Sequence, residues 1–177
     1  MNIFYLSKNE RECAQFHNDK HVVKMILEYA QLMSTAHRVL DGKEGIEISE
    51  KGRRIKRWFL NDSKLNTSLM KATHINHPSA VWTRKTSNNY EWLYRMWRCL
   101  LEEYTYRYGK NHSCERLIGD LAILPKNIAN GSFVQPPPAM PDHCKVNGNS
   151  IESYRNYYKL EKRSFSNWKK RSTPNWF

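Results

Sequence analysis

The sequence predicts a mainly α protein: one compact helical domain, residues 1–177, with a long proline-rich loop and a basic, aromatic C-terminal tail. Three observations carry this prediction. Wound at about 100° per residue, the segment 19–38 (DKHVVKMILEYAQLMSTAHR) puts Val22, Met25, Ile26, Tyr29, Leu32, Met33 and Ala36 on one apolar arc, which Val23, Leu27 and Ala30 widen. Further on, Tyr90, Leu93, Tyr94, Trp97, Leu100, Leu101, Tyr104 and Tyr108 recur at spacings of three and four. No stretch alternates convincingly between apolar and polar residues, so strands are not expected. A chain of 177 residues that is 40% hydrophobic can bury a sizeable core and is not a disordered tail.

Each element follows from local signals. Residues 3–6 form an apolar run too short for a long helix. The first helix starts near Glu10 and ends at Asp41-Gly42, where glycine follows the last periodic residue. Residues 43–52 are polar and contain glycine, which reads as a surface loop, and 53–60 mix basic and aromatic residues. Asn61-Asp62-Ser63 caps a short helix running through Thr73. His77-Pro78 is a break, because a residue before proline avoids the helical region. Asn88 with Glu91 resembles a capping pair for the second long helix, which Gly109 stops. A shorter helix over 113–124 ends before Pro125. Residues 126–148, with Pro136, Pro137, Pro138 and Pro141, form a loop long enough to suggest a function. Asn149 and Glu152 cap a last helix from Ser150 to about Phe165.

The formal net charge of +12 favours a polyanionic partner, with DNA the leading choice. The charge is uneven. Lys51, Arg53, Arg54, Lys56 and Arg57 cluster with no acidic residue, and residues 155–177 hold seven basic residues against one acidic. A charge cluster is most often a solvated face, yet Trp58 beside this one fits phosphate plus base contact. Trp168 and Trp176, in the basic tail, are candidates for base stacking, whereas Trp82, Trp92 and Trp97 read as core. No run is long enough to span a bilayer and the N-terminal run is too short for a signal peptide, so no membrane partner is expected. Cys13, Cys99, Cys114 and Cys144 form no CxxC pair and are expected as free thiols in a cytoplasmic compartment. His17 with His21, His74 with His77, and His143 beside Cys144 make no recognised ligand set, so neither metal nor cofactor is expected.

The narrow face left by the apolar arc holds His17, His21, Lys24, Glu28, Gln31 and Thr35. Burying ionisable groups unpaired is costly, so these residues either pair or line a site. The plain alternative for Glu28 is an i−4 pair with Lys24, worth a few tenths of a kcal/mol. For His21 it is a core histidine with its hydrogen bonds satisfied.

Asp19, His21 and Glu28 spell D-x-H-x6-E, followed by the basic pair His37-Arg38. This resembles the pyrimidine-dimer DNA glycosylases of the phage endonuclease V type. The resemblance continues through His77, Tyr90-x2-Leu93, the helix to Glu103, Arg107-Tyr-Gly109 and the aromatic, lysine-bearing C-terminus. MNIFYL and DKHVVKM are also similar to segments of proteins from large-genome phages, which implies a host-cell cytoplasm. The family resemblance implies Glu28 as catalytic carboxylate, His21 as the residue that orients it or touches substrate, and the α-amine of Met1 as nucleophile. An α-amine has a pKa of about 7.7–8.0, so a usable fraction is neutral at pH 7. It can attack the deoxyribose C1′ and form a Schiff base while a carboxylate moves protons. Lys24, Gln31, His37, Arg38, Arg53, Arg54, Arg57, Lys169, Lys170, Arg171 and Trp168 are the expected DNA contacts.

Three departures stand out. Asn2 occupies the position where the family exposes a small residue, and Leu27 and Gln31 stand where the family carries arginines that grip DNA. They leave two other functions open: a base-modifying or group-transferring enzyme on the same scaffold, and a non-catalytic module for nucleic acid or nucleotide.

Overall fold

The computed structural model describes residues 1–177. Its helices are α1 (Glu10–Phe16), α2 (Asp19–Asp41), α3 (Ser63–Ser68), α4 (Pro78–Thr83), α5 (Ser87–Tyr108), α6 (Ile118–Leu121) and α7 (Ser150–Glu161). Short 3-10 turns cover Ser113–Leu117, Asp142–Cys144 and Arg163–Phe165. The mainly α prediction holds, with two corrections.

The expected single first helix is two. His17 is extended, and the Asn18 side chain accepts the His21 N–H to begin α2 afresh. An asparagine in the cap conformation satisfies a donor that the helix itself cannot, so the break is stable. The second correction is a β-hairpin over residues expected as loop. β1 (Lys43–Ile48) pairs antiparallel with β2 (Arg54–Phe59), from Lys43 opposite Phe59 to Ile48 opposite Arg54. Gly52 turns the chain at φ 71°, a conformation costly for residues with a Cβ. Its strands are short and mostly solvated. Alternation is therefore weak, and cross-strand pairs such as Arg57 with Glu47 and Lys56 with Glu44 carry the pairing instead.

Other boundaries shift locally. Thr86 rather than Asn88 caps α5, its side chain accepting the Asn89 N–H, and Gly109 ends that helix at φ 69°. Asp62 caps α3, which stops at Ser68. The Asn149 side chain accepts the Glu152 N–H at the start of α7. His77, expected as a break, also caps α4.

The two long helices, α2 and α5, build the core. Trp97 is fully buried and its Nε1–H donates to the Ile26 carbonyl at 2.9 Å, joining α5 to α2. Val22, Met25, Ile26, Tyr29, Leu32, Met33 and Ala36 are all buried, each large apolar side chain contributing about 1.5–3 kcal/mol. The apolar arc is narrower than expected: Val23 and Leu27 are 42% and 49% exposed.

At one end of α5, the buried Arg107 donates to Glu103 at 2.7 Å, to Asp19 at 2.9 Å and to the Gln15 carbonyl at 2.9 Å. Asp19 also accepts the Lys169 N–H, and Glu103 accepts from Arg171. This network ties the start of α2, the end of α5 and the C-terminal tail together. It gives the aspartate of the D-x-H-x6-E pattern a structural partner, at a helix N-terminus where negative charge is favoured.

Candidate active site around the N-terminus and Glu28

The site begins with residues 3–6, which lie buried against α2. Ile3 and Leu6 are fully inaccessible. The Leu6 N–H donates to Cys13 Sγ, and the Cys13 thiol donates to the Phe4 carbonyl. The Phe4 N–H donates to Tyr29 Oη at 3.1 Å. Tyr29 Oη lies 2.9 Å from His17 Nε2, and His17 Nδ1 lies 2.8 Å from the Cys13 carbonyl. A carbonyl only accepts, so Nδ1 carries the proton and Nε2 accepts from the tyrosine. Burial pushes the His17 pKa down to about 4, keeping the ring neutral in this relay. Asn2 adds a bond from Nδ2 to the Ala139 carbonyl at 2.7 Å.

This clamp fixes where the chain end lies. The α-amine of Met1 is 3.5 Å from Glu28 Oε2, and Lys24 Nζ is 3.2 Å from Oε1. The side chains of Met1 and Glu28 are 7% and 15% exposed, so the contact is shielded but reachable. One carboxylate oxygen therefore faces the amine and the other a lysine that remains largely in solvent. His77 is close enough for both groups to act on it. Burial, then the α-ammonium and His74, lower its pKa, while Glu28 opposes. His77 Nδ1 accepts the Ser79 N–H at 3.1 Å, which leaves the proton of the neutral ring on Nε2.

His21 lies elsewhere on the helix. Its ring stacks on Phe4 with centroids 4.2 Å apart, and Nδ1 is 2.6 Å from Tyr158 Oη. Burial first, then the charges of His17, Lys162 and Lys24, push its pKa down to about 3. His21 thus supports the N-terminal segment through Phe4, with Tyr158 as its polar partner. Gln31 is half-buried, one turn beyond Glu28.

Several expected DNA contacts have other partners. His37 is buried and its Nε2 lies 2.9 Å from Tyr90 Oη. Arg38 is 4% exposed and donates to the carbonyls of Met70, Trp58, Asn66 and Leu69 and to Asn66 Oδ1. Its guanidinium holds the hairpin and the segment after α3 against α2, which corrects the reading of His37-Arg38 as a phosphate grip. Trp168 is buried too, donating from Nε1 to the Phe16 carbonyl, so it offers no stacking face. Trp176 packs edge-on against Phe16 and Tyr158. Arg57 is bound by Glu47, and Arg171 by Glu103. Arg53, Arg54, Lys169 and Lys170 are exposed.

A cavity of about 640 Å3 lies between the proline-rich loop and the start of α7, lined by Val134, Gln135, Pro138, Lys145 and Asn149 among others. Glu28 is not part of its lining.

The sequence reading gave His77 no site role, although its place before Pro78 sets it as the cap of α4, where the charge of the amine reaches it. It also missed that the fold brings Glu161 to the adjacent pair His143-Cys144.

No curated protein and no solved structure shows significant similarity to the chain. The family model described as pyrimidine dimer DNA glycosylase matches residues 1–116, a span that includes Met1, His21, Lys24, Glu28 and His77. On that match, covering well over half of its length, the chain belongs to the pyrimidine dimer DNA glycosylase family.

Proposed function

We propose that the protein is a DNA glycosylase that opens the N-glycosidic bond of a damaged pyrimidine nucleotide, with the Met1 α-amine as nucleophile and Glu28 as the carboxylate that manages its protons. The observation that carries this reading is the 3.5 Å contact between the amine and Glu28 Oε2. A protonated amine cannot attack, and an adjacent carboxylate can take its proton. The free amine then bonds to C1′ as the bond from C1′ to the base breaks, the base leaving with the bonding pair and taking up a proton. Loss of the second amine proton and opening of the sugar ring at C1′–O4′ leave a Schiff base, which water hydrolyses. Glu28 also faces positive charge developing on the sugar. Lys24 neutralises Glu28 and is positioned to meet a phosphate. Of the other basic residues expected at DNA, Arg53, Arg54, Lys169 and Lys170 are exposed and available to the rest of the duplex.

The test is a borohydride trap on oligonucleotides carrying a pyrimidine dimer or an abasic site. A covalent adduct is expected, and acetylation of the N-terminus abolishes it. Glu28→Gln lowers turnover by about 10²–10⁴-fold with affinity for the damaged DNA retained. Leu27 and Gln31, in place of DNA-gripping arginines, favour a second reading: modification of a base without excision. Absence of any adduct while DNA binding persists would decide for that reading. Full turnover in Glu28→Gln would remove Glu28 from the chemistry altogether.

A further inference from the structure

We propose that His143, Cys144 and Glu161 form a binding site for one zinc ion, lying beyond the span matched by the family. An imidazole nitrogen, a thiol sulfur and a carboxylate oxygen, one from each residue, all lie within 4.8 Å of one another. His143 Nε2 is already 2.8 Å from Glu161 Oε1. Tetrahedral zinc with ordinary bond lengths holds such donors about 3.4–3.6 Å apart, so each donor has to move by little more than an ångström.

The donor set discriminates among ions. Thiolate with imidazole suits zinc and disfavours magnesium and calcium, which prefer oxygen. Charge also closes. Binding releases the thiol proton, and one thiolate, one carboxylate and a neutral imidazole then balance the two positive charges of the ion. Access comes through His143 and Glu161, whose side chains are 58% and 41% exposed, while Cys144 supplies sulfur from the buried side. Three protein donors leave a fourth position for water.

The location gives the site a purpose. His143 and Cys144 sit on the 3-10 turn that closes the proline-rich loop, and Glu161 is the last residue of α7. An ion there would pin the loop to the helix whose Tyr154 and Tyr158 pack on Phe4.

The experiment uses the full chain, stripped with a chelator and dialysed, titrated with Zn2+ by calorimetry and with Co2+ by absorbance. We expect one ion per chain, about one proton released, and a sulfur-to-cobalt charge-transfer band. Cys144→Ser should abolish the band, and His143→Gln and Glu161→Gln should each weaken binding at least about tenfold, since even outer partners of metal ligands cost that much. No band in the wild type, or an equal band in Cys144→Ser, overturns the proposal, the latter by placing the thiolate elsewhere. Should Cys144→Ser not fold, His143→Gln, altered at an exposed side chain, decides alone, and undiminished affinity overturns the site.

Discussion

Acid should unfold this protein through its N-terminal clamp before its carboxylates titrate. His17 and His21 are buried and neutral, with folded pKa values near 4 and 3 against about 6.5 when unfolded. Between those limits the unfolded chain binds more protons, so stability is fully present above about pH 6.5 and falls as the pH drops toward the folded values. Each histidine contributes about 1.4 kcal/mol per pH unit in that window. From pH 7 to pH 5 the loss is about 2 kcal/mol for each and about 4 kcal/mol for both, a large part of the 5–15 kcal/mol typical of a domain. Urea unfolding followed by the helical signal at pH 7, 6 and 5 measures it. His37, His77 and His112 also have lowered pKa values and add to the wild-type slope, so the decisive quantity is a difference. His17→Gln and His21→Gln should each be less stable at pH 7 and should each lose about 2 kcal/mol less on going to pH 5. If both variants show the wild-type dependence on pH, these rings are not held neutral by burial and the relay from Phe4 to Cys13 is wrong.

Two further outcomes follow from side-chain placement. Arg38→Met leaves buried carbonyls without a donor and should cost about 3–5 kcal/mol in urea unfolding, because hydrogen bonds from a charged donor are worth about 1.5–3 kcal/mol each. A loss below about 1 kcal/mol, with DNA affinity falling instead, would return Arg38 to the DNA interface. For the Arg53→Ala/Arg54→Ala double variant, the slope of log affinity against log salt should shrink by up to about 2, close to one for each lost phosphate contact. An unchanged slope would place the hairpin off the DNA.

Much of the architecture was legible because it rests on periodic burial. Met25, Tyr29, Leu32, Trp97 and Leu100 declare their faces by spacing alone, and Gly109 declares a helix end. The break at Asn18 was harder, since the apolar spacing continues across it and only the cap chemistry of one asparagine marks it. The hairpin was hidden because its strands bury little. Of the candidate site, Glu28 was legible as an ionisable residue on a mostly apolar helix, and the amine through family resemblance. Arg38 and Trp168 were misplaced for a common reason: a basic or aromatic residue near a charged segment reads as surface, while its partners are backbone carbonyls that sequence does not reveal. Glu161 meets His143 and Cys144 only because α7 returns to the 3-10 turn, a relation that no local spacing encodes.

The burial of residues 3–6 has a consequence for how the protein is made. This segment leaves the ribosome first. Cys13, His17 and Tyr29, which hold it from α1 and α2, are made soon after it, yet its other partners are synthesised much later. Asn2 waits for the carbonyl of Ala139, and Phe4 for the rings of Tyr154, Tyr157 and Tyr158. Such long-range closure is slow and comes late in folding. A nascent chain that has emerged only through the family-matched residues 1–116 lacks every one of these partners. The N-terminal segment therefore gains its full set of partners only once α7 has been made, and its seat beside Glu28 is completed late.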